Sequence, residues 1–153
     1  MPENAPGEMP PHLVQFLLGG QALVVATVDE QGAPVTSLMT WAVARNPQTV
    51  TLAVDARSWS MRNLRTNGKV ALEVLGDDIC YGLRGTAVVE KEQMQSPPFP
   101  CALVAVRIEE VRDHSAAGVR FTGPKYAFHP GKEHRKSVEE AVYAELKGPA
   151  PTI

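Results

Sequence analysis

The residues with the clearest capacity for chemistry lie in one short stretch, DARSWSMRNLRTNGK, which runs from Asp55 to Lys69. Its spacing predicts a short helix with Ser58 as the N-cap, because a serine oxygen accepts a hydrogen bond from a backbone amide in the first helical turn. The stretch holds one acid and four cations. These cations are Arg57, Arg62, Arg65 and Lys69. Such an excess of positive charge indicates a site for an anion.

The predicted helix has two faces. Met61 and Leu64 form an apolar face that can pack on a sheet, whereas Ser58, Arg62 and Arg65 share the other face. The free amides and the dipole at a helix N-terminus favour an anion, and arginine offers a two-pronged donor to phosphate. The alternative is a surface helix whose arginines pair with acids elsewhere in the chain. The spacing alone favours the second of these two interpretations.

The sequence pattern predicts β-strands over most of the chain. Six strands are predicted, over residues 22–28, 35–44, 49–54, 69–75, 79–90 and 101–111. Alternation in the second of these strands predicts one shared face. That face consists of Val35, Ser37, Met39, Trp41 and Val43. Gly82 and Gly85 interrupt the fifth predicted strand and indicate a bulge or a close backbone approach.

Few helices accompany these strands. A short helix is predicted over residues 12–18, before Gly19 and Gly20. A second is predicted to begin at Ser137, because Glu140 stands where a capping box requires it. The pattern predicts a mainly β protein, a small closed antiparallel barrel with a few short flanking helices. Side chains fill a barrel of this size, so a ligand is expected on its outside or between subunits.

Length and composition predict one globular domain. The chain has 153 residues, 44% of them hydrophobic and 21% charged, and a net charge of −2. This charge provides no general attraction for nucleic acid or an anionic membrane. We expect a flexible tail over residues 1–11, the folded domain over 12–147 and a C-terminal tail over 148–153. No signal peptide or membrane span is recognisable, so the expected location is the cytoplasm.

The order of elements resembles the pyridoxamine 5′-phosphate oxidase-like FMN-binding split-barrel family. The resemblance covers roughly residues 13–111, and its most specific part is S-x-x-x-R-N-L-x-x-N, from Ser58 to Asn67. It implies a six-stranded split barrel, a homodimer and FMN in a groove between the two subunits. It also implies a flavin-dependent oxidoreductase that acts on a small molecule, with NAD(P)H as a candidate electron donor.

The same resemblance implies which residues bind FMN. The strand next to the isoalloxazine ring contributes Ser37, Leu38, Met39 and Thr40. The surroundings of the phosphate are Asp55, Ser58, Trp59, Ser60 and Arg62. Cys80 and Tyr81 are expected to reach the site from the partner subunit. Catalytic residues are not identifiable from the sequence, because the flavin itself carries the reaction.

Some positions depart from the family's pattern. Members often carry an Arg-Lys pair directly after the serine equivalent to Ser58, and this chain has Trp59 and Ser60 there. Ser37 stands where the second strand often has an arginine. Arg57 and Arg62 are the available replacements. The alternative function is therefore a non-catalytic split-barrel dimer that binds flavin or haem.

The remaining chemistry-bearing residues give weaker signals. His129 and His134 flank Pro130 and Gly131, which prevents a helical metal-binding pair, so no metal is expected. Two cysteines in a chain without an export signal are most simply buried thiols. Trp41 is expected to pack in the core or an interface, whereas Trp59 is equally compatible with packing or with stacking on a ring.

Overall fold

The computed structural model describes residues 7–148, which form a seven-stranded sheet and three helices. The strands are β1 (Leu23–Val28), β2 (Pro34–Met39), β3 (Ala42–Asn46), β4 (Thr49–Asp55), β5 (Lys69–Gly76), β6 (Ile79–Lys91) and β7 (Cys101–Asp113). The helices are α1 (Pro11–Phe16), α2 (Trp59–Thr66) and α3 (Arg135–Lys147). The predicted mainly β fold with few short helices is confirmed.

All strand pairs are antiparallel, and the sheet order is β2-β1-β5-β6-β7-β4-β3. The two edge strands, β2 and β3, are neighbours in the chain and are joined by Thr40 and Trp41. Hydrogen bonds therefore do not close the sheet, although the backbone runs from one edge directly to the other. This is a split barrel, and the expectation of a fully closed barrel is corrected.

The strand predicted over residues 35–44 is two strands, which is why the sheet has seven strands and not six. The predicted single face also changes sides at this break. Met39 packs against the main core, whereas Trp41 and Val43 belong to a second core on the opposite side of the sheet. A strict period of two cannot anticipate such a switch, because the irregular residues Thr40 and Trp41 reset the alternation.

The main core fills the barrel. Alternate residues of β4 and β7 point inward, including Val50 and Leu52 from β4 and Val104 and Val106 from β7. α1 adds Leu13 to this core, and α2 adds Met61 and Leu64. The apolar face predicted for α2 is thus confirmed, and its burial fixes the orientation of the opposite face.

The second core lies between the sheet and α3. Val142 and Leu146 of α3 pack against Val43, Ala53 and Leu103. α3 begins at Arg135, and its N-cap His134 makes no side-chain capping bond. The capping box predicted at Ser137 and Glu140 is therefore wrong. The helix starts two residues earlier because overlapping turns at His134 and Lys132 lead into it.

Two further features bear on the predicted boundaries. Gly85 sits at a register shift between β6 and β7, so the predicted bulge is confirmed. Met9 lies in the predicted N-terminal tail, yet it is buried and its amide donates to the carbonyl of Pro47. The packed region thus begins before residue 12. The rest of the predicted tails, residues 1–6 and 149–153, falls outside the described residues.

Candidate functional site

The N-terminus of α2 is built as the sequence predicts. Ser58 is the N-cap with extended backbone (φ −77°, ψ 156°), and its Oγ accepts a hydrogen bond from the Met61 amide at 3.1 Å. The same hydroxyl donates to the Asp55 carbonyl oxygen at 2.7 Å. Ser58 Oγ therefore both donates and accepts a hydrogen bond within the turn. Its role in the structure is to shape the helix start.

The amides of the first turn are left without partners. Within residues 7–148, the backbone N–H groups of Trp59 and Ser60 donate no hydrogen bond. The next amides in the helix are satisfied by Ser58, through its Oγ for Met61 and its carbonyl for Arg62. Two unpaired donors at a helix N-terminus create a local preference for an anion.

The side chains of Ser37 and Ser60 meet at this point. Ser60 is buried in the first turn of α2, and its Oγ lies 3.1 Å from Ser37 Oγ on β2. Each hydroxyl has one proton and further acceptor capacity, so the pair can share one hydrogen bond and still donate another. β2 and the N-terminus of α2 are therefore in direct contact at this point.

The arginines of the basic stretch divide into paired and unpaired groups. Arg57 pairs with Asp55 at 3.2 Å, and Arg65 pairs with Glu92 at 2.6 Å. Arg62 is exposed and forms no ion pair within the part of the chain that the structure describes. The surface-helix alternative thus describes Arg57 and Arg65, while Arg62 has no ion-pair partner among the described residues.

Asn63 anchors α2 to the sheet. It is buried, and its Nδ2 donates to Thr27 Oγ1 on β1 at 3.0 Å. A buried amide requires such a partner, since an unsatisfied polar group in the core is costly. With Met61 and Leu64 buried beside it, this bond fixes the rotation of α2. The fixed rotation aims Ser60 at β2 and leaves Arg62 on the outer surface.

A pocket of about 500 Å³ adjoins the same strand. The β-strand side of its lining includes Leu38, Met39, Thr40, Trp41, Ala53, Asp55 and Cys101. The other side comes from the connector residue Phe99 and from the segment over residues 127–139. Four residues predicted to flank the ligand therefore line one cavity together. The contribution of residues 127–139 was missed.

A hydrogen-bonded cluster fixes the far wall of this pocket. Glu139 of α3 accepts a bond from Trp41 Nε1 at 3.1 Å and from the Tyr126 hydroxyl at 3.2 Å. The Tyr143 hydroxyl lies 3.0 Å from the Tyr126 hydroxyl and 3.2 Å from the Thr40 carbonyl oxygen, and it can donate its single proton to either. Burial raises the pKa of Tyr126, so this hydroxyl stays protonated. The cluster holds α3 against the break between β2 and β3.

Aromatic rings form the floor of the pocket. The rings of Trp41 and Phe99 are stacked, with centroids 5.6 Å apart and planes 18° from parallel. The Arg57 guanidinium lies 5.9 Å from the Phe99 ring centroid, within the range of a cation–π contact. Trp41 thus packs in an interior position, as expected, and also presents its ring to the cavity. Trp59 is 60% exposed and makes neither contact.

The two cysteines are free and buried, as predicted. Cys101 lines the pocket, and burial raises its pKa to about 11, so it is a thiol and not a nucleophilic thiolate. Cys80 lies 3.7 Å from Glu73 Oε2, and the Tyr81 hydroxyl lies 3.1 Å from His12 Nε2. Cys80 and Tyr81 are on β6, apart from the pocket residues of this subunit.

The described residues hold no candidate for two other kinds of site. Residues 7–148 contain no group of three or more His, Cys, Asp or Glu arranged to hold a metal ion. In the same range, no helix combines the length and the apolar character that crossing a membrane requires.

Comparison with solved structures confirms the fold. A candidate pyridoxamine 5′-phosphate oxidase from Lactobacillus delbrueckii is 21% identical, with 73% of this chain and 99% of that chain covered and a TM-score of 0.60. HupZ from Group A Streptococcus is 19% identical, with coverages of 75% and 100% and a TM-score of 0.61. An FMN-binding protein from Syntrophomonas wolfei is 16% identical, with coverages of 68% and 82% and a TM-score of 0.50.

Comparison with protein families identifies the chain's relatives. No curated protein matches its sequence. The sequence model of the pyridoxamine 5′-phosphate oxidase family matches residues 9–115, which include the barrel strands, α2 and the Ser37–Ser60 contact. The resemblance carried by the residues around Ser58 is thereby confirmed, and the chain belongs to the pyridoxamine 5′-phosphate oxidase family of split barrels.

Proposed function

We propose that this protein binds FMN and uses it as a flavin-dependent oxidoreductase of a small molecule. The observation that carries the proposal is the meeting of Ser37 and Ser60 at the N-terminus of α2. The amides of Trp59 and Ser60 and the guanidinium of Arg62 lie on the same short helix and are free to donate. Family membership adds support, as does the fold shared with an FMN-binding protein.

The available donors suit the phosphate of FMN. A phosphate dianion accepts several hydrogen bonds, and here hydroxyl, amide and guanidinium donors come from β2 and α2. The nearby carboxylate of Asp55 is neutralised by Arg57, whose ion pair lowers the pKa of Asp55. Ser58 contributes indirectly by capping the helix. The donor set therefore fits the cofactor without the Arg-Lys pair that other members carry.

β2 offers a suitable flank for the isoalloxazine ring. It is an edge strand, so one side of its backbone pairs with β1 while the groups on the other side have no strand partner in the described sheet. Such groups can meet the donors and acceptors of the ring's pyrimidine edge. Leu38 is 69% exposed on this strand and supplies apolar cover. When bound, FMN supplies the hydride-transfer chemistry.

We propose further that two subunits complete the site. Leu38 and Trp59 are large, exposed apolar side chains beside the proposed ligand, and a partner subunit would remove them from water. Cys80 and Tyr81 are the residues proposed to approach from the partner. The dimer predicts twice the monomer mass in light scattering, and a monomer that still binds FMN tightly would contradict it.

The chemical identity of the cofactor can be tested directly. The purified protein is denatured, and the released chromophore is identified by absorption and mass spectrometry. The proposal predicts FMN and anaerobic bleaching of its absorption by NAD(P)H. FMN that no nicotinamide donor reduces would favour a non-catalytic flavin carrier. A released haem, or colourless protein that ignores added FMN, would overturn the proposal. The two free buried thiols fit a reducing compartment, so we propose the cytoplasm as its location.

A further inference from the structure

We infer that the pocket bounded by Trp41, Phe99 and α3 takes a flat aromatic molecule with a single carboxylate. The role of this molecule as the substrate rests on the proposed function, whereas its binding to the pocket does not. We thereby assign the substrate class and place its recognition on residues 127–139. These residues follow β7, the last strand, and lie outside the family match, which ends at residue 115.

The shape and lining of the pocket favour a flat aromatic body. The stacked rings of Trp41 and Phe99 form the floor, and Phe128 contributes a third ring. Met39 and Val138 add apolar surface. A volume of about 500 Å³ is in the range of small-molecule sites, which are mostly apolar with a few polar groups that fix orientation. A flat ring can stack on these side chains.

Cations lie on one side of the same pocket. Lys132, just before α3, and Arg135, the first residue of α3, both line the pocket. Both are exposed, so they lie at its rim. Neither forms an ion pair or a side-chain hydrogen bond with any other residue between 7 and 148. Their neighbour on the rim is His129. Donors with no internal partner remain free for a ligand's anionic group.

The balance of charge selects a monoanion. Among the lining residues, Lys132 and Arg135 carry two positive charges, and Asp55 and Glu139 carry two negative charges. Arg57 adds one more positive charge, because it pairs with Asp55 while its guanidinium sits over Phe99. The net charge of these five residues is therefore positive by one. A carboxylate matches this charge, whereas a phosphate dianion would exceed it and meet Glu139.

The test compares three ligands that share one ring system. Naphthoate, uncharged naphthamide and naphthyl phosphate are titrated into the full-length protein at neutral pH by isothermal titration calorimetry. We expect naphthoate to bind roughly tenfold more tightly than naphthamide, the ratio that one favourable charged contact gives. Naphthoate should also bind more tightly than naphthyl phosphate. Equal binding of acid and amide, or tighter binding of the phosphate, overturns the inference.

Variants locate the binding to the rim. The double variant Lys132→Gln/Arg135→Gln should weaken naphthoate binding about tenfold and leave naphthamide binding within about twofold. Lys136→Gln is the matched control, since Lys136 is an exposed cation next to Arg135 that does not line the pocket. It should change neither affinity. Naphthoate binding that survives in the double variant, or falls equally in Lys136→Gln, would place the site elsewhere.

Titrations in the presence of FMN distinguish a failure of this inference from a failure of the proposed function. The titrations are repeated after saturation with FMN, and FMN binding itself is measured separately by its fluorescence. Naphthoate should bind beside FMN with the same ligand preference. If FMN displaces naphthoate, the carboxylate is not a substrate bound next to the cofactor, and the inference fails. If FMN does not bind at all, the proposed function fails while the ligand preference still tests the pocket.

Discussion

Ser37 on β2 and Ser60 on α2 are 23 residues apart in the chain, and their hydroxyl oxygens lie 3.1 Å apart. This contact joins the edge strand proposed to flank the ring to the helix proposed to hold the phosphate. It exists because Met61, Leu64 and the Asn63–Thr27 bond fix the rotation of α2 on the sheet. A contact between two neutral hydroxyls thereby marks where the strand and the helix meet.

Replacing Ser60 tests whether this hydroxyl binds the cofactor. We expect Ser60→Ala to weaken FMN binding by about 1 kcal/mol, or roughly fivefold, because one phosphate donor is lost. Melting temperature should change little, since Ser37 can turn its hydroxyl to water. FMN fluorescence quenching gives the affinity. An affinity equal to that of the unaltered protein would show that the phosphate does not reach Ser60.

Replacing Ser58 should lower stability and leave FMN affinity nearly unchanged, the reverse of the result expected for Ser60→Ala. Its hydroxyl caps α2 through the Met61 amide, and losing a serine cap costs about 1 kcal/mol of stability. We therefore expect Ser58→Ala to lower the urea midpoint while FMN affinity, measured well below the melting temperature, stays within about twofold. A large loss of affinity with unchanged stability would mean that Ser58 binds the ligand directly.

Gly85 is predicted to be intolerant of any side chain. A Cβ at this position would overlap the carbonyl oxygen of Arg107 on β7, where the strands shift register. We expect Gly85→Ala to destabilise the fold by about 2 kcal/mol, as overpacking does. Val88→Ala is the control on the same strand, because Val88 is 60% exposed and should tolerate the change. Equal urea midpoints for the two variants would contradict the assigned bulge.

Glu145 on α3 predicts a dependence of stability on pH. Burial alone would raise its pKa, but hydrogen bonds from Ser96, from the Gln95 amide and from Lys91 outweigh burial and lower the pKa to about 2. The stability it contributes is fully present above pH 4.5, its value without these partners, and is lost as pH falls towards 2.

The Glu145→Gln variant isolates this contribution. We expect it to be destabilised by about 2 kcal/mol at neutral pH, and the difference from the unaltered protein should shrink as the pH falls below 4.5. Chemical unfolding at several pH values measures both effects. A difference that stays constant down to pH 2.5, close to the pKa of about 2 for Glu145 in the folded protein, would show that the ionised carboxylate does not provide this stability.

The features that sequence reasoning predicted correctly depend on short-range patterns. The cap at Ser58, the apolar face of Met61 and Leu64 and the bulge at Gly85 each follow from a few neighbouring residues. The break at Thr40 and the early start of α3 were missed, because packing against distant elements decides them. The bond from Trp41 to Glu139 spans 98 residues. No local sequence pattern predicts this bond, so the pocket wall from residues 127–139 could not be predicted.

The central claim is that the first turn of α2 binds the phosphate of FMN, and two arginines on that helix provide the test. Arg62 has no ion pair among residues 7–148, whereas Arg65, three residues later, is held by Glu92. The two changes, Arg62→Ala and Arg65→Ala, remove the same charge from the same helix. They differ in whether the guanidinium is free to contact a ligand.

FMN titration of both variants, followed by quenching of flavin fluorescence, is the most direct measurement. We expect roughly tenfold weaker binding for Arg62→Ala, because a charge-assisted phosphate contact is lost, and a change within about twofold for Arg65→Ala. Unchanged affinity in Arg62→Ala, or an equal loss in both variants, would contradict the assignment of the phosphate site to this turn.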